Sequence, residues 1–201
     1  MPVDVLLALA AFAVTAAVTP GPNNIMLLAS GVNFGFTRTI PHMAGILFGF
    51  IVMLSAVGAG LGVLFKTFPL LHTVLKVAGV VYLVYLAWRV AMSRSMGDAK
   101  AKARPMSLIE AAAFQWVNPK AWVMAVGAVA TYAAIARFPF NMAIIAGVFA
   151  SFGIVSSWTW IMFGSVLRRF LRTARAVRLF NIAMGVLLVV SILPVLVEDW
   201  L

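Results

Sequence analysis

The chain has no cysteine and very few acidic or histidine side chains. Its 201 residues include five Asp and Glu residues and two His residues, beside 15 Lys and Arg residues. Without cysteine, disulfides and thiolate metal sites are excluded. His42 and His72 are accompanied by no HExxH motif and no Ser-His-Asp set, so a metalloenzyme or a hydrolase has no support. We predict no cofactor, no metal ion and no enzymatic activity.

Charged residues are scarce and apolar residues abundant. Hydrophobic residues make up 64% of the chain and charged residues 10%, with a mean hydropathy of +1.09. Soluble domains are about half apolar and about a quarter charged, so this composition indicates an integral membrane protein. We predict an all-α protein of six transmembrane helices in a single domain, 1–201. The six apolar stretches are approximately 4–32, 40–65, 70–92, 107–135, 139–165 and 177–199.

The basic residues explain the net charge of +10 and predict an orientation. With the amino terminus outside, most of them fall in cytoplasmic loops, and by the positive-inside rule both termini are expected outside. The run RRFLRTARAVR, 168–178, is then expected to meet anionic lipid, and nucleic acid is not an expected partner. The basic residues assigned to the cytoplasmic side are Arg38, Arg89, Arg94, Lys100, Lys102, Arg104, Arg168, Arg169, Arg172, Arg175 and Arg178.

A faint internal repeat divides the chain at a polar, basic cytoplasmic loop, 94–106. In each of the two halves, approximately 1–93 and 107–201, the first span is broken at a proline, Pro20 and Pro119, and FGFIV of the first half recurs as FGIV in the second. Three spans per half is an odd number, which places the second half upside down relative to the first. Inverted repeats with matching interrupted helices are typical of secondary transporters.

Two polar, proline-bearing motifs interrupt the first and fourth apolar stretches: TPGPNNIML, 19–27, and FQWVNPKAW, 114–122. Proline removes a backbone donor and clashes with the preceding turn, which leaves carbonyl oxygens near 15–18 and 115 unpaired. In hydrocarbon each such oxygen costs several kcal/mol, so the breaks must face protein or water. At ~1.5 Å per residue, both lie near the middle of the bilayer.

New helices are expected to begin at these prolines, with their free N–H groups and positive dipole ends at mid-membrane. Because the two spans run in opposite directions, these ends converge, and they form a place for an anion such as a carboxylate. A kink for packing alone, with a snorkelling lysine, is the alternative, but two such breaks at corresponding places favour a site. The predicted binding residues are Pro20, Gly21, Pro22, Asn23, Asn24, Gln115, Asn118, Pro119 and Lys120.

At these motifs the chain resembles the LysE/RhtB superfamily of amino-acid exporters. The resemblance extends through NFGFTRTIPHMAGILFGF, 33–50, and AGVVYLVYLAWRV, 78–90, and thus over nearly the whole chain. It implies a multi-pass permease of the bacterial cytoplasmic (inner) membrane that exports amino acids or close derivatives by proton antiport. The Asn-Asn version of the first motif is similar to members that export small neutral amino acids such as cysteine and O-acetylserine. The positions that match the family pattern are Pro20, Gly21, Pro22, Asn118, Pro119 and Lys120.

The positions of the acidic residues limit the charge that the substrate side chain can carry. A cationic side chain needs an acidic partner, and none of the five acidic residues lies at the depth of the breaks; Glu110, one to two turns from the cytoplasmic end of span four, is nearest. We therefore favour a neutral zwitterion, with its carboxylate at the helix ends and its ammonium on freed carbonyls and amide oxygens. Basic amino acids and other small metabolites stay open as alternatives.

The mechanism expected for such a site is alternating access, in which one helix triplet rocks against the other. Lys120 is the first candidate proton carrier and Glu110 the second. A passive channel is the rival, and it would require a continuous line of polar residues.

The polar patch SSWTW, 156–160, either lines the path or lies outside it. Small residues at four-residue spacing, Gly45 with Gly49, Gly58 with Gly62 and Gly147 with Ser151, serve packing within the chain or a homodimer seam.

Overall fold

The computed structural model describes residues 3–61, 69–93 and 104–193. These residues form eight α-helices and no strand, as the all-α prediction requires. The helices are α1 Val3–Val18, α2 Pro22–Phe34, α3 Phe36–Ala56, α4 Pro69–Ala91, α5 Leu108–Gln115, α6 Pro119–Tyr132, α7 Phe140–Leu167 and α8 Ala174–Val190. Most of the predicted loop 94–106 and the end of the sixth predicted span lie outside the described residues.

Three helical segments are long and apolar enough to cross a membrane by themselves: Phe36–Leu61, Thr73–Ala91 and Phe140–Leu167. The pair α1 and α2 makes a fourth if its two halves, bent by 50°, are taken as one broken span. Helix α6, with the short turn that follows it, is apolar but shorter. Length and composition thus give up to four spans among the described residues. The fourth predicted span is not among them, and the sixth, 177–199, is described only as far as residue 193.

Both proline motifs interrupt their helices. Residues 19–21, the first break, separate α1 from α2, and residues 116–118, the second break, separate α5 from α6. Pro22 and Pro119 occupy the first turns of α2 and α6, where a missing backbone N–H costs nothing and the ring already has a helical φ. Pro20 lies in the first break, ahead of the helix, so of the two prolines expected to start the second helical half only Pro22 does so.

Glycines bring the helices into close contact. A Cβ at Gly45 or Gly49 of α3 would overlap the backbone of α5, at Leu108 and Ala112 respectively. A Cβ at Gly164 of α7 would overlap the backbone of α2. Such small residues let helix backbones approach closely, which strengthens the dispersion contacts between them. These contacts matter in lipid because the hydrophobic effect does not drive helices together there. The Gly45 and Gly49 pair therefore serves packing within the chain; Gly62 lies outside the described residues.

The contacts also give the relative directions of the packed helices. α7 runs parallel to α1, because Phe149 packs on Phe12 and Ser156 bonds to Ala17 further along both helices. Gly45 facing Leu108 and Gly49 facing Ala112 make α3 and α5 parallel as well. α4 and α8 run antiparallel, because Gly185 lies beside Ala87 while the earlier Asn181 bonds to the later Ser93.

The buried apolar residues form two clusters, one on each side of the breaks. One contains residues of α2 and α5, the other residues of α1 and α6. α1 and α5 therefore reach the breaks from opposite sides, and α2 and α6 leave them in opposite directions. The positive ends of α2 and α6 consequently both point to the region between the clusters.

Candidate functional site

The two breaks lie against each other. The Lys120 ammonium at the start of α6 donates a hydrogen bond to the Thr19 carbonyl oxygen of the first break, over a nitrogen–oxygen distance of 2.6 Å. The two residues are 101 positions apart in the chain. The structure thus brings the two motifs together, as the convergence argument expects.

Gly21 makes room for the lysine side chain. A Cβ at Gly21 would lie 2.7 Å from Lys120 Cδ and 3.2 Å from its Nζ. The Gly21 backbone is extended, with φ −168° and ψ 179°, a conformation open to any residue. Space, and not backbone freedom, is therefore the reason for a glycine at this position.

A pair of amides joins the two broken helices beside this contact. Asn23 Nδ2 donates to Gln115 Oε1 at 2.8 Å, and Gln115 Nε2 donates to Asn23 Oδ1 at 3.2 Å. Gln115 Nε2 also donates to the Ala111 carbonyl within α5. The paired side chains fix the end of α5 to the first turn of α2.

The carbonyl oxygens freed by the first break accept hydrogen bonds from side chains. The Ala17 oxygen accepts from Asn24 Nδ2 at 2.8 Å and from Ser156 Oγ of α7 at 2.7 Å. The Thr19 oxygen accepts from Asn24 Nδ2 at 3.1 Å in addition to Lys120. The break is thereby satisfied by protein groups, which is the condition for irregular backbone inside a membrane.

The helices that begin at the breaks have no side-chain caps. Neither Gly21 before α2 nor Asn118 before α6 offers a side-chain hydrogen bond to the first turn. By contrast, α5 starts with a capping box of Ser107 and Glu110, and α8 is capped by Thr173. The two uncapped starts leave backbone N–H groups and two positive helix ends at the same place.

A cavity opens between the breaks and helices α3 and α7. The space open to the centres of water molecules is about 70 Å³, and one water needs roughly 10–15 Å³ of such space. The cavity therefore has room for several waters or one small solute. Its lining residues are Ala16, Ala17, Gly21, Asn23, Asn24, Ile46, Leu47, Phe50, Asn118, Lys120, Ala121, Met124, Phe149, Gly153, Ser156 and Ser157.

One lining group is an unused acceptor. Asn118 is 1% exposed, and its Oδ1 has no hydrogen-bond partner among the described residues. Buried polar atoms in proteins are nearly always paired. The oxygen is thus available to a donor that enters the cavity.

The charge of the cavity is positive. Lys120 is the only ionisable side chain among the described residues that line it. Glu110, the other proton-carrier candidate, lies at the first turn of α5 and outside the lining. Its oxygens accept from Arg104 at 2.6 and 2.7 Å and from the Ser107 N–H at 2.8 Å. The carboxylate in turn raises the pKa of the Arg104 guanidinium above its ordinary value.

Comparison with known families agrees with this architecture. The family model described as LysE type translocator matches residues 14–197, which includes both breaks and every residue that lines the cavity. The chain belongs to the LysE type translocator family. The prediction of a membrane transporter of this family, and not an enzyme, is confirmed.

Individual relatives of this LysE type translocator are similar over most of their length. The Cysteine/O-acetylserine efflux proteins of Escherichia coli O9:H4 (strain HS) and of Shigella flexneri serotype 5b (strain 8401) are each 32% identical over 175 residues, covering 86% of this chain and 88% of the relative. The protein of the same description from Escherichia coli O1:K1 / APEC is 31% identical over the same length. No solved structure matches the chain.

In this translocator the residues predicted from the sequence fall into three groups. Five of them line the cavity: Gly21, Asn23, Asn24, Asn118 and Lys120. Pro22 and Pro119 are buried at the helix starts and Gln115 lies behind Asn23, so these residues shape the site without lining it. Pro20 is exposed.

The translocator cavity also contains residues that the motifs did not indicate. Ser156 and Ser157 of α7 are buried and line it, so part of the SSWTW patch faces the cavity, whereas Trp158 is half exposed. The two serines were visible in the sequence as a polar interruption of an apolar helix. The apolar lining from Phe50, Met124 and Phe149 has no such signal, because these residues resemble every other core residue of a membrane helix.

Proposed function

We propose that this translocator exports small neutral amino acids or their derivatives, such as cysteine or O-acetylserine, from the cytoplasm. The observation that carries the proposal is one cavity that combines two uncapped helix starts, the Lys120 ammonium and the unpaired Asn118 oxygen. A zwitterion has a carboxylate for the helix starts and Lys120, and an ammonium group for the Asn118 oxygen. The similarity to Cysteine/O-acetylserine efflux proteins favours the same solutes.

The carboxylate of the solute binds at the positive end of the set. The starts of α2 and α6 offer free backbone N–H groups and two helix dipoles, and Lys120 adds a full charge. The hydrogen bond of Lys120 to Thr19 uses one of the three ammonium donors, which leaves two for a ligand. No carboxylate among the described lining residues competes with the solute.

The ammonium of the solute binds at Asn118 Oδ1. The sequence also suggested the freed carbonyls for this role, but the Ala17 and Thr19 oxygens already accept two side-chain donors each. Asn118 Oδ1 accepts no hydrogen bond from the described residues. A hydrogen bond from a charged donor to this oxygen also removes the desolvation cost of leaving it unpaired.

The size and charge of the cavity favour small neutral side chains. About 70 Å³ of open space is bounded on several sides by Phe50, Met124 and Phe149, and an aliphatic, thiol or ester side chain of a few atoms suits such a wall. A basic amino acid would place a second positive charge near Lys120 without a carboxylate to pair it. Export of basic amino acids is therefore the weaker alternative.

We further propose six spans arranged as two inverted triplets, with α1 and α2 together as span one and α5 and α6 as span four. In an alternating topology spans one and five run parallel, as do spans two and four, while spans three and six run antiparallel. The contacts of α7 with α1, of α3 with α5 and of α4 with α8 have these three directions. Span one on span five and span two on span four are also the equivalent pairs of a two-fold arrangement.

Alternating access then takes place by rocking of one triplet against the other around the cavity. The contacts that join the triplets at the breaks, Lys120 with Thr19 and Asn23 with Gln115, are those that such a motion must change. Proton antiport is the proposed energy source. Lys120 in the cavity remains the first candidate carrier and the ion-paired Glu110 the second.

The setting proposed for this exporter is the bacterial cytoplasmic (inner) membrane, with both termini outside and the arginines of 168–178 on anionic lipid. Arg169, Arg172, Arg175 and Arg178 are exposed, which suits that contact.

The homodimer stays a prediction. Gly45 and Gly49 are used inside the chain, and a Cβ at Gly147 meets nothing within 4 Å, so the Gly147 and Ser151 face is the one that remains for a second copy.

The test is uptake of labelled O-acetyl-L-serine into everted membrane vesicles, with and without a pH gradient. We expect uptake that exceeds that of vesicles lacking the protein, competition by L-cysteine, and little competition by L-lysine. Saturable uptake without single-channel currents separates an exporter from a passive channel. Absence of uptake above the empty vesicles, or a preference for lysine, would contradict the proposal.

A further inference from the structure

His42 of α3 is a buried histidine that lies outside the cavity. His42 of α3 is 2% exposed, and neither Nδ1 nor Nε2 has a hydrogen-bond partner among the described residues. A neutral imidazole carries one N–H donor and one acceptor, and buried groups of this kind are nearly always paired. An imidazole that is unsatisfied in this conformation gains most from a second conformation in which it has a partner.

Among the described residues, one charged group acts on His42. α3 packs tightly on α5, since Gly45, one turn after His42, faces the Leu108 backbone. Glu110, at the first turn of α5, interacts electrostatically with the imidazole. Tyr82 of α4 is in turn close enough to Glu110 to be affected by its charge.

The other helices packed on α3 add little charge around the imidazole. α2 and α7 contain no titratable residue. α6 contains Lys120, which bonds to Thr19 at the cavity, and Tyr132, which packs on Phe12. On α3 itself, Arg38 is exposed one turn earlier. Glu110 is therefore the group through which a charge on His42 acts.

Glu110 has a structural role in the present conformation. Its carboxylate holds Arg104 in a two-pronged ion pair and accepts from the Ser107 N–H, which closes the capping box of α5. α5 has eight residues and is about 12 Å long at ~1.5 Å per residue. At its far end Gln115 bonds to Asn23 beside the cavity. One short helix thus links Glu110 to the first break.

We propose that His42, in place of the two candidates Lys120 and Glu110, is the proton-binding residue of this translocator and that its protonation draws the Glu110 carboxylate away from Arg104. The proposal rests on the proton-coupled export proposed above. A proton from water adds to the unprotonated ring nitrogen, and the resulting imidazolium has two N–H donors, for which the Glu110 carboxylate is the acceptor. The proton returns to water when the pair separates. No other bond is made or broken.

When Glu110 exchanges Arg104 for His42, the contact between α5 of one triplet and α3 of the other changes. When Glu110 leaves Ser107 and Arg104, the capping box of α5 opens and the helix is free to shift along α3. The shift reaches Gln115 and its bond to Asn23, so the charge on His42 and the state of the cavity depend on each other. Lys120 then serves the solute and the break, while His42 and Glu110 serve the proton.

The experiment uses the purified full-length protein in proteoliposomes and two readouts of O-acetyl-L-serine movement. Counterflow without a gradient measures transport alone; uptake driven by a pH gradient, with an entrapped pH dye, measures coupling. In the wild type we expect the gradient to stimulate uptake by roughly tenfold per pH unit. We expect His42→Gln to keep counterflow and to lose this stimulation. Met43→Leu, a volume-conserving change of the next residue, keeps both.

The outcomes separate the inference from the proposed function. A wild-type protein without counterflow overturns the proposed function, whereas His42→Gln with undiminished stimulation overturns the inference alone. If His42→Gln fails to accumulate, histidine-selective nitrogen NMR of the His72→Gln protein observes His42 directly. We expect O-acetyl-L-serine to change the charge state of His42 between about pH 5 and about pH 8. A neutral imidazole in every sample contradicts the inference.

Discussion

Lys120 donates a hydrogen bond to the Thr19 carbonyl oxygen at 2.6 Å and so joins the two interrupted helices of the protein. The acceptor is a backbone group that the break releases from its helix. The donor is the only ionisable side chain among the described residues of the cavity. A single contact therefore links the irregular backbone, the positive charge and the proposed solute site.

Replacing Lys120 tests this link. Lys120→Met removes the charge and the bond to Thr19, and a hydrogen bond of a charged group contributes about 1.5–3 kcal/mol. We expect gradient-driven uptake to fall by roughly tenfold or more, with Lys120→Arg retaining part of it. The control is Lys76→Met, which removes a lysine of α4 outside the cavity lining. Unchanged uptake in Lys120→Met would remove the residue from the mechanism.

Gly21→Ala tests the space for the lysine stem. The added Cβ would lie 2.7 Å from Lys120 Cδ, so the side chain must leave its position over the break. We expect a several-fold loss of uptake with little change in thermal stability, because the extended backbone accepts alanine. Gly147→Ala, where the Cβ meets nothing within 4 Å, is the matched control and should transport as the wild type does. Equal uptake by the two variants would argue against a fixed position of Lys120.

Asn118→Ala tests the proposed ammonium site. Loss of the unpaired Oδ1 should raise the KM for O-acetyl-L-serine by roughly tenfold, the factor expected for one hydrogen bond to a charged group. Stability should change little, because the oxygen has no partner to lose. Asn33→Ala provides the contrast: Asn33 pairs with Asn181 at 2.7 Å away from the cavity, so its loss should lower Tm and leave KM unaltered. The reverse pattern would contradict the assignment.

The amide pair Asn23 and Gln115 is suited to a double-mutant cycle. We expect the single changes to alanine and the double change to be non-additive in the free energy of unfolding, with a coupling of about 0.5–1.5 kcal/mol. Cycles in membrane proteins average about 0.6 kcal/mol, so the lower half of this range is the expectation. The measurement is thermal unfolding of the purified variants in one detergent. Additive effects would show that the two amides do not stabilise each other.

Hydropathy and local backbone chemistry were enough to predict much of this protein. The abundance of apolar residues identified a membrane protein, and Pro22 and Pro119 marked the starts of two helices, because proline acts on its own turn whatever surrounds it. Convergence of the breaks followed from the opposite directions of their spans. Pro20 was assigned to a helix start and lies two residues before it, because local sequence patterns do not fix a helix end to better than one or two residues.

Other features depended on which helices pack together. Ser156 reaches Ala17 from 139 residues away, Phe50 and Phe149 are in contact beside the cavity, and the buried His42 has no hydrogen-bond partner in the part of the chain that the structure describes. Each helical segment can be predicted from its own residues, because dihedral preference and hydropathy are local properties. The partner of each helix face is chosen by the fit of small residues and polar groups across distant segments, and only the tertiary structure decides it.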